Sequence, residues 1–107
     1  MANNFKNAKL DLSTTNVTTL YTAPTANTSI FKSILVSNDQ GSASTITLTI
    51  TNSASAVFSV YNVKSVAANT TIELLTQPLV VTEGEVLKVT AADADRLHVI
   101  GSFLEIT

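Results

Sequence analysis

The sequence predicts an all-β protein, an antiparallel β-sandwich or jelly roll of about eight short strands and no substantial helix. Three observations carry that prediction. Residues 45–51 read Thr-Ile-Thr-Leu-Thr-Ile-Thr, a strict period of two that sets Ile46, Leu48 and Ile50 on one face and four threonines on the other. A helix would scatter those three apolar side chains around its circumference. Turn chemistry recurs at roughly 8–12-residue spacing along the chain, the rhythm of a sandwich. No amphipathic pattern of about ten residues or more with a 3.6-residue period can be drawn anywhere.

The elements follow in order. Leu10 and Leu12 predict a short first strand. Residues 17–22 predict a second. Residues 29–37 predict a third, with Ile30, Ile34 and Val36 on one face and Phe31 and Leu35 on the other, which suggests a central strand or one covered by a partner chain. The threonine-rich strand at 45–51 comes next. Residues 57–66 are long and mixed, with Phe58, Val60, Tyr61, Val63 and Val66. Residues 70–75 place Ile72 and Leu74 in phase, and residues 79–81 form a short piece. Residues 86–91 form another strand. Residues 97–106 close the chain, with His98, Ile100, Ser102, Leu104 and Ile106 on one face.

Between them lies turn chemistry. Pro24 and Asn27 break the second strand from the third. Residues 38–41 end in Gly41, available for positive φ. Asn52-Ser53 and residues 67–69 separate further strands. Gln77-Pro78 stops one, because proline donates nothing to a ladder. Glu83-Gly84-Glu85 predicts a tight hairpin-like reversal, and Asp93-Ala94-Asp95 precedes the last strand. Two regions result: a polar arm over residues 1–9, frayed or docked on a neighbouring subunit through Phe5, and a single sandwich domain over residues 10–107.

Composition narrows the function classes. Charged residues make up only 13% of the chain, about half the usual share. Ser and Thr supply roughly a quarter of it, as strand-forming residues and as a hydroxyl surface with little side-chain entropy to lose on contact. The net charge is −2, and Lys6, Lys9, Lys32, Lys64, Lys88 and Arg96 are scattered, so nucleic acid is a poor partner. No apolar run approaches the roughly 20 residues of a membrane helix, and the first residues lack the apolar stretch of a signal peptide. A soluble protein with no membrane partner is expected.

Candidate chemistry is sparse, and no catalytic, cofactor or metal residue is assigned. His98 is the single histidine and there is no cysteine, which argues against zinc or copper. The three glycines, Gly41, Gly84 and Gly101, form no phosphate loop. Asp93 and Asp95, with Asp39, offer too few of the roughly six to eight oxygens calcium takes, and an Asx-type turn is expected instead. Glu83 and Glu85 sit at a loop tip rather than in a cleft. Asn16, Asn27 and Asn69 match the glycosylation pattern, read as chance matches without a secretory signal. Tyr21 and Tyr61 suit a sugar-stacking platform, although core packing is the commoner use. The expectation is a protein that is not an enzyme.

Several stretches resemble known proteins. Leu20-Tyr21-Thr22-Ala23-Pro24 followed by residues 32–38 (Lys-Ser-Ile-Leu-Val-Ser-Asn), and then residues 67–74, 77–81, 83–90 and 102–107, resemble small virion structural proteins of tailed bacteriophages, marine cyanophages among them. The resemblance runs from about Leu10 to the C-terminus. It implies a particle component, on the capsid or the tail, assembled in the host cytoplasm; a capsid decoration (cement) protein that stabilises the head is the leading expectation. Implied partners are itself, as a trimer, and the major capsid protein or tail proteins. A tail or fibre adaptor or ring subunit, and a carbohydrate-binding or adhesion module, stand as the alternatives. No contact residue carries over.

Overall fold

The computed structural model describes residues 3–107 and contains nine strands. They are β1 (Asn3–Leu12), β2 (Thr18–Thr22), β3 (Thr28–Asn38), β4 (Ser44–Thr51), β5 (Val57–Val66), β6 (Thr70–Glu73), β7 (Leu79–Val81), β8 (Val86–Ala91) and β9 (Leu97–Ile106). One sheet runs β1-β9-β3, with both β6 and β7 on the far side of β3; the other runs β2-β8-β4-β5. Every ladder is antiparallel.

Strand order gives the architecture a name. β6 and β7 pair with the two ends of β3 and act as one interrupted strand. The first strand then pairs with the last, the second with the next to last, the third with the β6–β7 line, and β4 with β5. That is one long antiparallel hairpin rolled up into two facing sheets, the jelly roll.

The expected sandwich is therefore observed, with three differences in detail. First, most of the polar arm expected at residues 1–9 lies in β1: from Asn3 to Leu12 the backbone pairs residue for residue with β9. A polar sequence is no obstacle there, because the strand sits at a sheet edge with its outer side in solvent. Met1 and Ala2 lie outside the described residues.

Second, the two faces expected for β3 change over midway. The ladder with β9 slips between Phe31 and Ser33, and Lys32 bulges outward. A bulge inserts one residue and inverts the alternation beyond it. Ser29 and Phe31 on one side of the slip, and Ile34, Val36 and Asn38 on the other, all end up buried, while Ile30 and Leu35 face out.

Third, residues 82–85 make no hairpin. The Glu85 amide donates to the Thr82 carbonyl at 3.0 Å and Gly84 has φ +82°, a turn that demands glycine at its third position. However, β7 belongs to one sheet and β8 to the other, so this turn carries the chain across the sandwich.

The core lies between the sheets. Ile46 and Leu48 from β4, Leu87 and Val89 from β8, Ile34 and Val36 from β3, and Leu97 and Val99 from β9 are all fully buried. Phe31, Phe103 and Tyr21 stack at one end, with ring centroids 4.6–5.3 Å apart. The accessible surface, 5650 Å², matches the roughly 5700 Å² that the mass scaling gives for a compact monomer. The sandwich thus completes its own core without a partner.

One strand carries visible strain. β5 slips against β4 on both sides of Leu48, and at the first slip Val63 adopts φ +56° with its amide donating to Thr47 Oγ1 at 3.1 Å. A β-branched residue in the left-handed region is costly, and the Val63 side chain is 60% exposed, so it returns little by packing. Val63→Gly is expected to stabilise the protein by about 1 kcal/mol, read as a raised urea midpoint. A lowered midpoint would mean that the valine side chain contributes more than its backbone costs.

Candidate assembly interface

The outward face of the five-stranded sheet follows from the register. Across one row, Phe5, Leu104, Ile30 and Val80 stand side by side on β1, β9, β3 and β7. Two steps along, Ile100 and Leu35 form a second apolar pair, flanked by Lys9 and Glu73. Between the rows lie Asn7, Ser102 and Ser33, and beyond the second lie Asp11, His98 and Ser37. Phe5 is 81% exposed, and Val80, Ile100 and Leu35 are also exposed. Apolar rows on a sheet face, rimmed by polar groups, are the kind of surface that suits contact with another protein. Two shallow depressions lie on this same face. One, of about 420 Å³, is lined by Leu10, Asp11, His98 and Ile100 among others; the second, of about 410 Å³, is lined by Phe5, Lys32 and Ser102 among others.

The opposite outward face has another chemistry. Thr45, Thr47 and Thr49 on β4 stand beside Thr90 and Lys88 on β8 and Ser59 and Ser65 on β5. This is the hydroxyl face read from the sequence.

A buried polar network fixes the apolar face at its Phe5 end. The Glu105 carboxylate points inward from β9 and is nearly fully buried. It accepts from Lys6 Nζ at 2.8 Å and from the Tyr21 hydroxyl at 2.7 Å, and Tyr21 shares a further 2.5 Å hydrogen bond with Ser29 Oγ. Four strands are tied at one point. The Lys6 and Tyr21 hydrogen bonds hold the Glu105 carboxyl below its ordinary pKa. Burial, with Glu105 adding to it, pushes the Tyr21 phenol up to about 12, against the opposing hydrogen bond from Ser29.

Glu73 performs a related task where β6 ends. Its carboxylate accepts from the Ser33 hydroxyl, from the Ile34 amide at 2.7 Å and from the Leu75 amide at 3.1 Å. It thereby satisfies the backbone donors left by the break between β6 and β7. Burial raises the Glu73 pKa, but these hydrogen bonds outweigh it and the net direction is down. Neither Glu73 nor Glu105 is distinguishable from a surface carboxylate in the sequence. Both owe their place to strands brought together over tens of residues.

The sign of the resulting pH dependence is fixed. Both carboxyls titrate lower in the folded state than in the unfolded chain, so their contribution is complete above the ordinary value of 4.5 and is lost as pH falls through their folded values. Tyr21 works in the opposite sense: its contribution is present below the ordinary value of 10.0 and is lost as pH rises through about 12. Urea midpoints are expected to fall between pH 5 and pH 3, and Glu105→Gln is expected to flatten that fall. An unchanged slope in Glu105→Gln would show that the network contributes nothing to acid stability.

The residues considered for chemistry take structural places. Asp93 Oδ2 accepts from Ser44 Oγ at 3.0 Å and lies 3.3 Å from Arg96 Nη1, which also donates to the Ala43 carbonyl at 2.9 Å. Asp95 adopts φ +61° and donates its amide to the Leu12 carbonyl at 2.9 Å. Asp39 is not brought to them; it lies 3.9 Å from His98 Nδ1, with Asp11 Oδ1 3.4 Å from Nε2 on the other side. Glu85 Oε1 accepts from the Thr82 amide and hydroxyl, both at 2.8 Å, within its own turn. Tyr21 is taken into the aromatic cluster, away from any sugar platform. Tyr61 packs against the core edge. Phe5 is the residue that sequence reasoning did single out, and its outward place on β1 puts it in the apolar row.

Comparison with known proteins gives one informative likeness. No protein family and no curated protein matches the chain. Among solved structures, a chain in the structure of infectious bursal disease virus, Gt strain, superposes with a TM-score of 0.50 at 12% identity over 98% of this chain. The match spans 30% of the viral chain, so this protein corresponds to less than a third of its length. At that identity the likeness speaks to the fold alone: the chain is a jelly-roll β-sandwich, and a chain of a virus particle contains a comparable one.

Proposed function

We propose that this protein is a structural subunit of a virus particle. In its most specific form the proposal is a decoration (cement) protein on the head of a tailed bacteriophage, assembling with itself and with the major capsid protein. The observation that carries it is the outward apolar row Phe5–Leu104–Ile30–Val80 on a sandwich that needs no partner to close its core. A surface of that kind is built for another protein. Two further points support the same reading: the resemblance of residues 20–24, 32–38 and 67–90 to phage virion proteins, and the fold-level likeness to a chain of a virus structure.

In this role the protein acts by binding, with no catalytic step. A rigid sheet laid across the joint between neighbouring capsid subunits adds buried surface there, and anything that binds only the assembled shell raises its stability by mass action. The threonine- and serine-rich face then meets solvent. A tail adaptor or ring subunit would use the same apolar row on a different partner.

The test is reconstitution. Purified protein is added to heads that lack it, and the heads are followed by sedimentation and by thermal rupture. Saturable binding with a raised rupture temperature is the expected result. Heads that neither bind the protein nor gain stability would remove the decoration role, and binding to isolated tails in their place would move the protein there.

A further inference from the structure

We propose that two copies of this chain pair edge to edge through β1, antiparallel about a two-fold axis at Asn7, joining their five-stranded sheets into one. The proposal rests on the reading that the protein self-assembles and names the surface it uses. Unpaired sheet edges template association, and proteins blunt the edges that must stay single. Among the described residues, all the edges but one are blunted. β2 is short and slips between Thr19 and Tyr21. β5 slips twice and carries the left-handed Val63. The β6–β7 line is broken by residues 74–78, with Pro78 just before β7. β1 alone runs ten residues against β9 with no slip, and its other side has no strand beside it. An edge of that length is matched in full only by an equally regular one, and within this chain that is β1 itself.

Side-chain facing and charge select the register. Side chains stay on their own faces only if the axis passes through a residue, not between two. An axis at Lys6 or Lys9 sets like charges opposite each other, which disfavours pairing. An axis at Ala8 sets Phe5 against the Asp11 carboxylate. The axis at Asn7 pairs Asn3 with Asp11 and Phe5 with Lys9, twice each, and uses nine residues per chain. It places an ammonium group over the most exposed large apolar side chain of the protein, a favourable cation–π contact. It also makes the apolar rows of the two sheets neighbours on one continuous outer face.

The absence of cysteine makes the test clean. Asn7→Cys places two thiols opposite each other on the axis, where the roughly 4.5–5.5 Å between paired Cα atoms fits a disulfide. Ser59→Cys on β5 is the control. Under mild oxidation most of Asn7→Cys is expected to run as a covalent dimer and Ser59→Cys as a monomer. Phe5→Lys, on a side chain in solvent, is expected to weaken dimerisation at least tenfold, and adding Lys9→Glu is expected to restore it. Three results would overturn the proposal. One is a parent protein that stays monomeric at all concentrations. Another is an oligomer in which Asn7→Cys cross-links no better than Ser59→Cys, which would leave self-assembly standing and remove this interface. The third is Asn7→Cys joined to a different virion protein instead of to itself.

Discussion

Leu48→Asp is expected to leave the protein largely unfolded at room temperature. Leu48 is completely buried at the centre of β4, facing Val89 across the ladder, with Ile46 on the same face. Among the described residues, no basic side chain is buried in the core to pair with a carboxylate there. An unpaired charge in such a place costs several kcal/mol, about 4 or more, and the lost leucine packing adds to it. A domain of this size has only about 5–15 kcal/mol of stability to lose. Thr45→Asp and Thr49→Asp, on the hydroxyl face of the same strand, are expected to shift stability by no more than about 1 kcal/mol. Far-UV circular dichroism with urea titration of the three variants separates these outcomes. A Leu48→Asp variant as stable as Thr49→Asp would contradict the facing of β4.

Gly101→Ala is expected to cost about 2–3 kcal/mol, against the usual effect of filling a glycine in a strand, which is a gain of about 0.5–1 kcal/mol. A Cβ at Gly101 would lie 2.8 Å from Phe31 Cε2 and 3.3 Å from Phe31 Cδ2. The ring has nowhere to go. Phe31 is fully buried, stacked on Phe103 at 4.6 Å and met edge-on by Tyr21 at 5.3 Å. The glycine is therefore the floor on which the aromatic cluster rests, and the same cluster positions the Tyr21 hydroxyl for Glu105. Gly41→Ala serves as the control, since a Cβ there meets nothing within 4 Å. Thermal melts and the near-ultraviolet dichroism of the cluster report the difference. Equal stability of the two variants would mean that the ring moves aside freely.

Much of this architecture was legible in the sequence, because strands of a two-sheet sandwich are written in period two. The alternation at residues 45–51 located β4 and the buried face of Ile46 and Leu48, but at the strand's end Ile50 is only half-buried and Thr51, expected on the wet face, is buried. His98, Ile100, Ser102, Leu104 and Ile106 do share one face of β9, which the structure turns outward, and the bounds of β5, β7 and β8 stand as read. The failures have specific causes. The bulge at Lys32 inverted the phase of β3, and nothing local to that residue announces it. The part of β1 before Leu10 reads as a polar arm because edge strands need little apolar patterning. Strand order, which distinguishes a jelly roll from other sandwiches, is a matter of long-range pairing that periodicity does not encode. The polar network was hidden for the same reason: Lys6 and Glu105 are 99 residues apart in the chain. Phe5 was the one visible hint of the interface, an aromatic side chain alone in a polar segment.

The central claim is that the protein is a structural part of a virus particle, and the most direct measurement is its copy number per particle, by quantitative mass spectrometry of purified virions. The account predicts hundreds of copies, in fixed proportion to the major capsid protein. Absence from the particle would contradict it.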